Sequence, residues 1–278
     1  MSSSAFIIFI FTLLQGFALS TKNSEEFNAG TTRGSDNMMN SVKTAMDTII
    51  TVNDDQEVFA VDGVRIREGD IAVSRHNERS CFAQTCLWNK SVDGHVYVAY
   101  TLSPFYSEVD ESGIKRGMKL IERGTCVRFV PKTHERDYLD IQPKSGCWSF
   151  VGMVGGGQPL SLQSPGCMWS GVAAHEFMHA LGFVHEQSRS DRDRYVTILW
   201  DNIMEGQKHN FRKYHTNNLN TAYDYSSVMH YGRFAFSEEG LPTIMPKPDP
   251  NIPIGQRDGP SPLDIHKINL LYNCGGRI

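Results

Sequence analysis

The sequence predicts an α+β fold, and three observations predict it. Short runs rich in β-branched and aromatic residues cluster in the middle of the chain, interrupted by one amphipathic helical stretch. A second helical stretch follows them and carries histidines at a metal-binding spacing. Beyond it Pro and Gly rise, so the last third should be largely irregular apart from one late helix. In order, His95 to Tyr100 and Cys126 to Val130 read as strands. Between them a helix is expected over about Ser107 to Arg123, with Ile114, Met118 and Ile121 on one face. Tyr138 to Gln142 and Trp148 to Met153 read as further strands. Gly155, Gly156 and Gly157 form a flexible turn without the context of a nucleotide-binding loop. Gln158 to Gln163 is expected to be an edge strand whose free backbone groups could pair with an extended chain. The metal-spaced helix is expected over Val172 to Val184 and the late helix near Pro262 to Tyr272.

The stretch His175-Glu176-Phe177-Met178-His179 holds the chemistry. On a helix, His175 and His179 lie one turn apart on the same face, so both imidazoles can reach one ion. Glu176 points off that line, where a carboxylate can hold a water rather than the metal. Gly182 tolerates the left-handed backbone that ends a helix, and the turn there would bring His185 round as a third ligand. Three neutral nitrogens leave a fourth position open, the mark of a catalytic rather than a structural zinc site. At such a site zinc lowers the pKa of water to roughly 7. Metzincins, zinc sites of this kind, need a methionine-bearing turn beneath the ion. Ser227-Val228-Met229-His230-Tyr231 supplies one, with Met229 as the apolar floor.

Residues 1–20 read as a signal peptide, with an almost wholly apolar run from Ala5 to Ala18, and Ala18-Leu19-Ser20 supplying small residues at the positions a signal peptidase reads. No later stretch is long and apolar enough to span a bilayer, so a soluble secreted protein without membrane attachment is expected. Six cysteines, Cys81, Cys86, Cys126, Cys147, Cys167 and Cys274, suit an oxidising compartment; they allow fifteen pairings, among which the sequence does not choose. Asn89-Lys90-Ser91 is a glycosylation sequon. The net charge of −4 is unevenly placed: Thr21 to His76 carries ten Asp/Glu against six Lys/Arg, while the rest carries twenty-one of each. No basic patch points to nucleic acid. Residues 21–60 are polar and cannot build a core of their own, with one short helical pattern from Met38 to Ile50.

His175 to Asp193 reads HEFMHALGFVHEQSRSDRD. That string resembles the extended signature of the astacin metalloproteases, HExxHxxGFxHExxRxDRD, at every fixed position, and SVMHY resembles their Met-turn. The resemblance extends over nearly all of residues 77–278. It implies a two-lobed zincin of the metzincin type, with a mixed twisted sheet and the zinc helix in the N-terminal lobe and a largely irregular C-terminal lobe. It implies a zinc endopeptidase with one Zn2+ per subunit, held by His175, His179 and His185. Glu176 would be the general base and Tyr231 a zinc ligand at rest that moves to stabilise the oxyanion. It also implies the pairings Cys126–Cys274 and Cys147–Cys167, which leave Cys81 with Cys86.

The same resemblance divides the chain into a signal peptide (1–20), an inhibitory prosegment (21–76) and a catalytic domain (77–278). Astacin prosegments carry Phe-x-Gly-Asp, whose aspartate occupies the metal in place of water. Here Gly69-Asp70 matches, but Arg67 stands where the phenylalanine would be. Activation would cut near Arg75, His76 or Asn77, and the new amino terminus would meet Glu186. Arg233 is a candidate reader of an acidic residue just after the cut. The Cys81-x4-Cys86 pair resembles the six-cysteine fish group that includes hatching enzymes and nephrosin. The expected partner is therefore an extended polypeptide, an egg-envelope or extracellular matrix glycoprotein, cleaved by a secreted, monomeric enzyme. The alternatives are a nephrosin-like protease of immune or haematopoietic tissue, or a secreted binding protein on an inactivated scaffold. The last would show a lost ligand or a replaced Glu176, and neither is seen.

Overall fold

The computed structural model describes residues 45–54, 64–73 and 86–275. The expected signal peptide, the activation region and Cys81 lie outside them. Four strands, β3 (Val96–Leu102), β4 (Val127–Pro131), β5 (Tyr138–Gln142) and β7 (Gly157–Leu162), run parallel. β6 (Cys147–Phe150) returns antiparallel to β7. β1 (Arg65–Arg67) and β2 (Ile71–Val73) come from the segment before residue 77, and β2 joins β6 in parallel. The seven form one mixed sheet in the order β1-β2-β6-β7-β5-β3-β4.

One expectation is corrected here. The strand over Gln158 to Gln163 is not an edge, because β7 pairs with β5 on one side and β6 on the other. The edge belongs to β6, and β2 occupies it. The chain reverses between β6 and β7 through Gly152, Gly155 and Gly156, all with positive φ, and that reversal folds β6 to the outside.

Helix α2 (Glu108–Glu122) links β3 to β4 and starts with a capping box in which Ser107 and Asp110 satisfy each other's backbone N–H. Its expected apolar face, Ile114, Met118 and Ile121, is buried in the core shared with the sheet. Gly113 and Gly117 let it lie directly on the start of α3 (Ser170–Ala180): a Cβ at Gly117 would sit 2.8 Å from the Ala173 side chain. α3 ends four residues before the expected limit, where Gly182 takes φ +106°. Beyond α3 come short 3-10 turns, a two-stranded ladder of β8 (Val196–Ile198) and β9 (Ile244–Pro246), and α4 (Pro262–Leu271). The second half is therefore irregular as expected. Disulfides join Cys126 to Cys274, tying β4 to the end of the chain, and Cys147 to Cys167, tying β6 to the approach to α3. Cys86 is also disulfide-bonded.

Helix α1 (Ala45–Asp54) runs four residues past its expected end. Met46 and Ile49 are fully buried in the main core, and that docking explains the extension. A polar segment unable to make a core joins one that already exists.

The start of α3 has no spare room. A Cβ on Gly171 would lie 1.7 Å from the Arg257 carbonyl oxygen. Gly171→Ala is therefore expected to destabilise by about 3 kcal/mol or more, the upper range for overpacking. A thermal melt should show this as a midpoint lowered by roughly 2–4 °C per kcal/mol. An unchanged midpoint would mean that the Arg257 loop does not bear on the helix.

Candidate metal centre

Four side chains converge beneath the sheet edge. His175 and His179 project from α3, His185 follows the Gly182 turn, and Asp70 reaches in from the loop between β1 and β2. All four are fully buried, and one ligand atom from each lies within 4.8 Å of the others. Asp70 Oδ2 is 2.9 Å from His175 Nε2; Asp70 Oδ1 is 3.4 Å from His179 Nε2 and 3.2 Å from His185 Nε2. Ligands around a tetrahedral zinc with ~2.05 Å bonds sit about 3.3 Å apart, so these separations suit that ion.

The outer ring nitrogens are held in place. His175 Nδ1 donates to the Val228 carbonyl at 2.9 Å, and His179 Nδ1 to the Phe183 carbonyl at 2.7 Å. His185 Nδ1 meets the Glu68 carboxylate at 3.2 Å. Such contacts set the tautomer that leaves Nε2 for a metal. Three of the inward atoms, Asp70 Oδ1, His179 Nε2 and His185 Nε2, are buried without a hydrogen-bond partner. Buried polar atoms are seldom left so, and a metal ion would satisfy all three. The donor set of three nitrogens and one carboxylate oxygen is one that zinc accepts.

Glu176 is fully buried, and neither of its oxygens has a partner. Burial, and then the nearby Asp70 charge, push its carboxyl well above the usual carboxylate range. Burial acts the same way on Asp70, but the His185 and His179 charges and the His175 hydrogen bond outweigh it and hold Asp70 well below that range.

Tyr231 is fully buried, with its ring 4.7 Å from that of His185. Its hydroxyl donates to the Glu68 carbonyl at 2.7 Å. Gln187 Oε1 accepts from the Tyr231 N–H. Met229 is buried in the turn, and its carbonyl accepts from the Glu186 N–H at 3.0 Å. Next to it, burial lowers His230 to about 4, so its ring is neutral, donating to the Tyr231 carbonyl and accepting from the Tyr223 hydroxyl. The Glu186 carboxylate is engaged by Lys267, by Arg189 and by the Asp224 N–H. Arg233 is half-buried and donates to the Ile252 carbonyl at 3.1 Å.

Sequence reasoning missed Glu68, Asn53, Lys267 and Asp264. Glu68 adopts φ +50°, unusual without a glycine, and its carboxylate also accepts from Ser188 Oγ at 3.0 Å. Gly69, beside it at φ +82°, has the Met46 methyl and the Phe236 ring where a side chain would go, 2.9 and 3.1 Å from the place of a Cβ. Arg67, two residues before Gly69, is exposed on β1. Asn53 of α1 accepts from the Cys147 N–H at 2.8 Å and donates to the Cys147 carbonyl at 2.8 Å and to the Gly69 carbonyl.

A three-histidine group on a helix and its following turn, with an unengaged glutamate beside it, defines a metallopeptidase centre. The sequence profile of the peptidase family described as Astacin matches residues 85–273. High choriolytic enzyme 1 of Oryzias latipes is 50% identical over 209 residues, covering 74% of this chain and 77% of that protein. An astacin-like metalloendopeptidase of Gallus gallus is 47% identical over 228 residues, covering 81% of this chain and 54% of its own length. The solved structure of high choriolytic enzyme 1, described as a hatching enzyme zinc-protease, superposes with a TM-score of 0.68 over 70% of this chain and 98% of that one. The chain belongs to the astacin family and is a zinc metalloendopeptidase with the metzincin fold.

Proposed function

We propose that this chain is a secreted endopeptidase made in latent form, and that it cleaves extracellular proteins once the segment before about residue 77 is removed. One observation carries the proposal: Asp70, 105 residues before His175, fills the fourth place beside the three histidines. His175, His179 and His185 would hold the zinc, which when bound supplies Lewis acidity to a peptide carbonyl and acidifies water. In the latent chain Asp70 would complete that set and exclude water. Once Asp70 has gone, Glu176 accepts a proton from the attacking water and returns it to the leaving amine. Tyr231, freed from the Glu68 carbonyl, donates its hydroxyl to the developing oxyanion, with Gln187 holding its backbone. The released edge of β6 then offers its backbone groups to an extended peptide, in the place β2 occupies in this structure. The new amino terminus would join Lys267 and Arg189 at the Glu186 carboxylate.

The choriolytic relatives support a substrate among egg-envelope proteins. Secretion rests on the signal-peptide reading; no described helix is long and apolar enough to cross a membrane. The test uses secreted protein, before and after trimming with trypsin, on a quenched peptide library and on isolated egg envelopes. Cleavage appearing only after trimming, abolished by a zinc chelator and restored by added zinc, is the expected result. Equal cleavage before trimming would remove the latency proposal. Peptide cleavage with intact envelopes would remove the hatching assignment and leave the protease.

A further inference from the structure

We propose that Asp264 is a positioning residue for the metal centre: from the start of α4 it fixes the peptide that orients His175. The inference rests on the zinc-site reading above. Asp264 is the third residue of α4 and completes a capping box with Ser261, accepting the Ser261 N–H at 2.9 Å. A cap needs no more than that pair. Yet the same carboxylate, 1% exposed, reaches back into the Met-turn. Its Oδ2 accepts the Val228 N–H at 2.9 Å, and its Oδ1 accepts from Ser227 Oγ at 2.7 Å.

Ser227 Oγ in turn accepts the Met229 N–H at 3.0 Å. That N–H belongs to the same peptide plane as the Val228 carbonyl, and the Val228 carbonyl is the acceptor for His175 Nδ1. Asp264 thus holds Val228 directly through its N–H, and holds the plane of the Val228–Met229 peptide through Ser227. The direction of the Val228 carbonyl sets the direction of the His175 ring, and with it where Nε2 points. The other two histidines lack this support. His179 is held by the Phe183 carbonyl in the turn after its own helix, and His185 by Glu68 from the segment that trimming would remove. Contacts behind a ligand commonly change metal affinity by about 10–100-fold.

The test measures zinc release from the full secreted chain by competition with a chromogenic chelator. Asp264→Ala is expected to release zinc about tenfold faster than wild type. Ser227→Ala, which breaks the indirect route alone, should shift release the same way by a smaller factor. Ser261→Ala is the control: it weakens the cap of α4 and removes the hydroxyl's bond to the Asp224 carboxylate, but leaves both contacts from Asp264 to the turn, so release should stay within about twofold of wild type. Cobalt-loaded Asp264→Ala should also show shifted ligand-field bands, which loss of helix capping alone would not produce. Equal release rates for Asp264→Ala and Ser261→Ala, or no change in either Asp264→Ala or Ser227→Ala, overturn the role. If Asp264→Ala does not fold, Ser227→Ala decides alone: unchanged release overturns the proposal, faster release upholds it. Wild-type protein that binds no zinc would sink the metal-site reading, and this proposal with it.

Discussion

Glu176→Gln, trimmed to the mature start, is expected to keep one zinc per chain and lose about a thousandfold of its turnover. A positioned general base contributes roughly 10²–10⁴-fold. Among the described buried carboxylates around the histidines, Glu176 alone is left without a commitment in the mature chain. Asp70 and Glu68 lie in the segment that the proposed trimming would remove, between β1 and β2 and ahead of residue 77. Glu186 is bound by Lys267, Arg189 and the Asp224 N–H. Asp264 is committed to Ser227, Val228 and Ser261. Glu176 is buried in the same helix as His175 and His179, and both of its oxygens are without partners. An unpartnered buried carboxyl costs stability, so its retention calls for a task. Gln has the same shape and breaks no hydrogen bond, because Glu176 makes none here. The fold and the zinc content should therefore survive while hydrolysis does not. Metal analysis and a quenched-peptide rate on the same preparation check both halves. A variant with a tenth or more of wild-type activity would move the base to another group. A variant that has lost its zinc would show that Glu176 supports the metal instead.

The parts of this site that could be read from the sequence are those set by local spacing. One helical turn separates His175 from His179, and Gly182 ends the helix; Tyr231 is reached only through the resemblance of SVMHY to the astacin Met-turn. Helix α2 was readable for the same reason: its cap and its apolar face lie within about one short stretch of chain. What could not be read depends on contacts between distant segments. Whether β6 or β7 forms the edge turns on the direction of β6, and period-2 patterning does not encode direction. Asn53 reads as an ordinary helical asparagine until Cys147 is seen 94 residues away, with both of its backbone groups met by one carboxamide. Asp264 reads as a helix cap, and it is one; its second set of partners lies 36 and 37 residues upstream. Arg67 reads as the loss of an apolar anchor. Met46 and Phe236 pack against Gly69, two residues on, one from before it in the chain and the other from far beyond.

Those distant contacts determine how the latent form should respond to Asp70→Ala. The untrimmed variant is expected to cleave peptide at least about a hundredfold faster than untrimmed wild type, yet more slowly than trimmed wild type. Removing one partner from a buried charged cluster costs roughly 3–5 kcal/mol, and about 3 kcal/mol of lost docking raises the open population by somewhat over a hundredfold. The rise should stop short of full activity because Asp70 does not hold the segment alone. The Glu68 carbonyl would still receive the Tyr231 hydroxyl, and its carboxylate would still bind His185 and Ser188. β2 would still lie along β6, and Asn53 would still occupy the backbone groups of Cys147. Adding Glu68→Ala to Asp70→Ala should therefore raise untrimmed activity again, while trimmed activity stays at the wild-type level because both positions have left. Initial rates before and after trypsin, on both variants, make the comparison. An untrimmed Asp70→Ala protein that stays silent, binds zinc and becomes fully active on trimming would assign latency to the strand and helix contacts instead. If the double variant were no faster than the single one, Glu68 would be a passenger in the loop and its left-handed backbone a consequence of Asp70's reach.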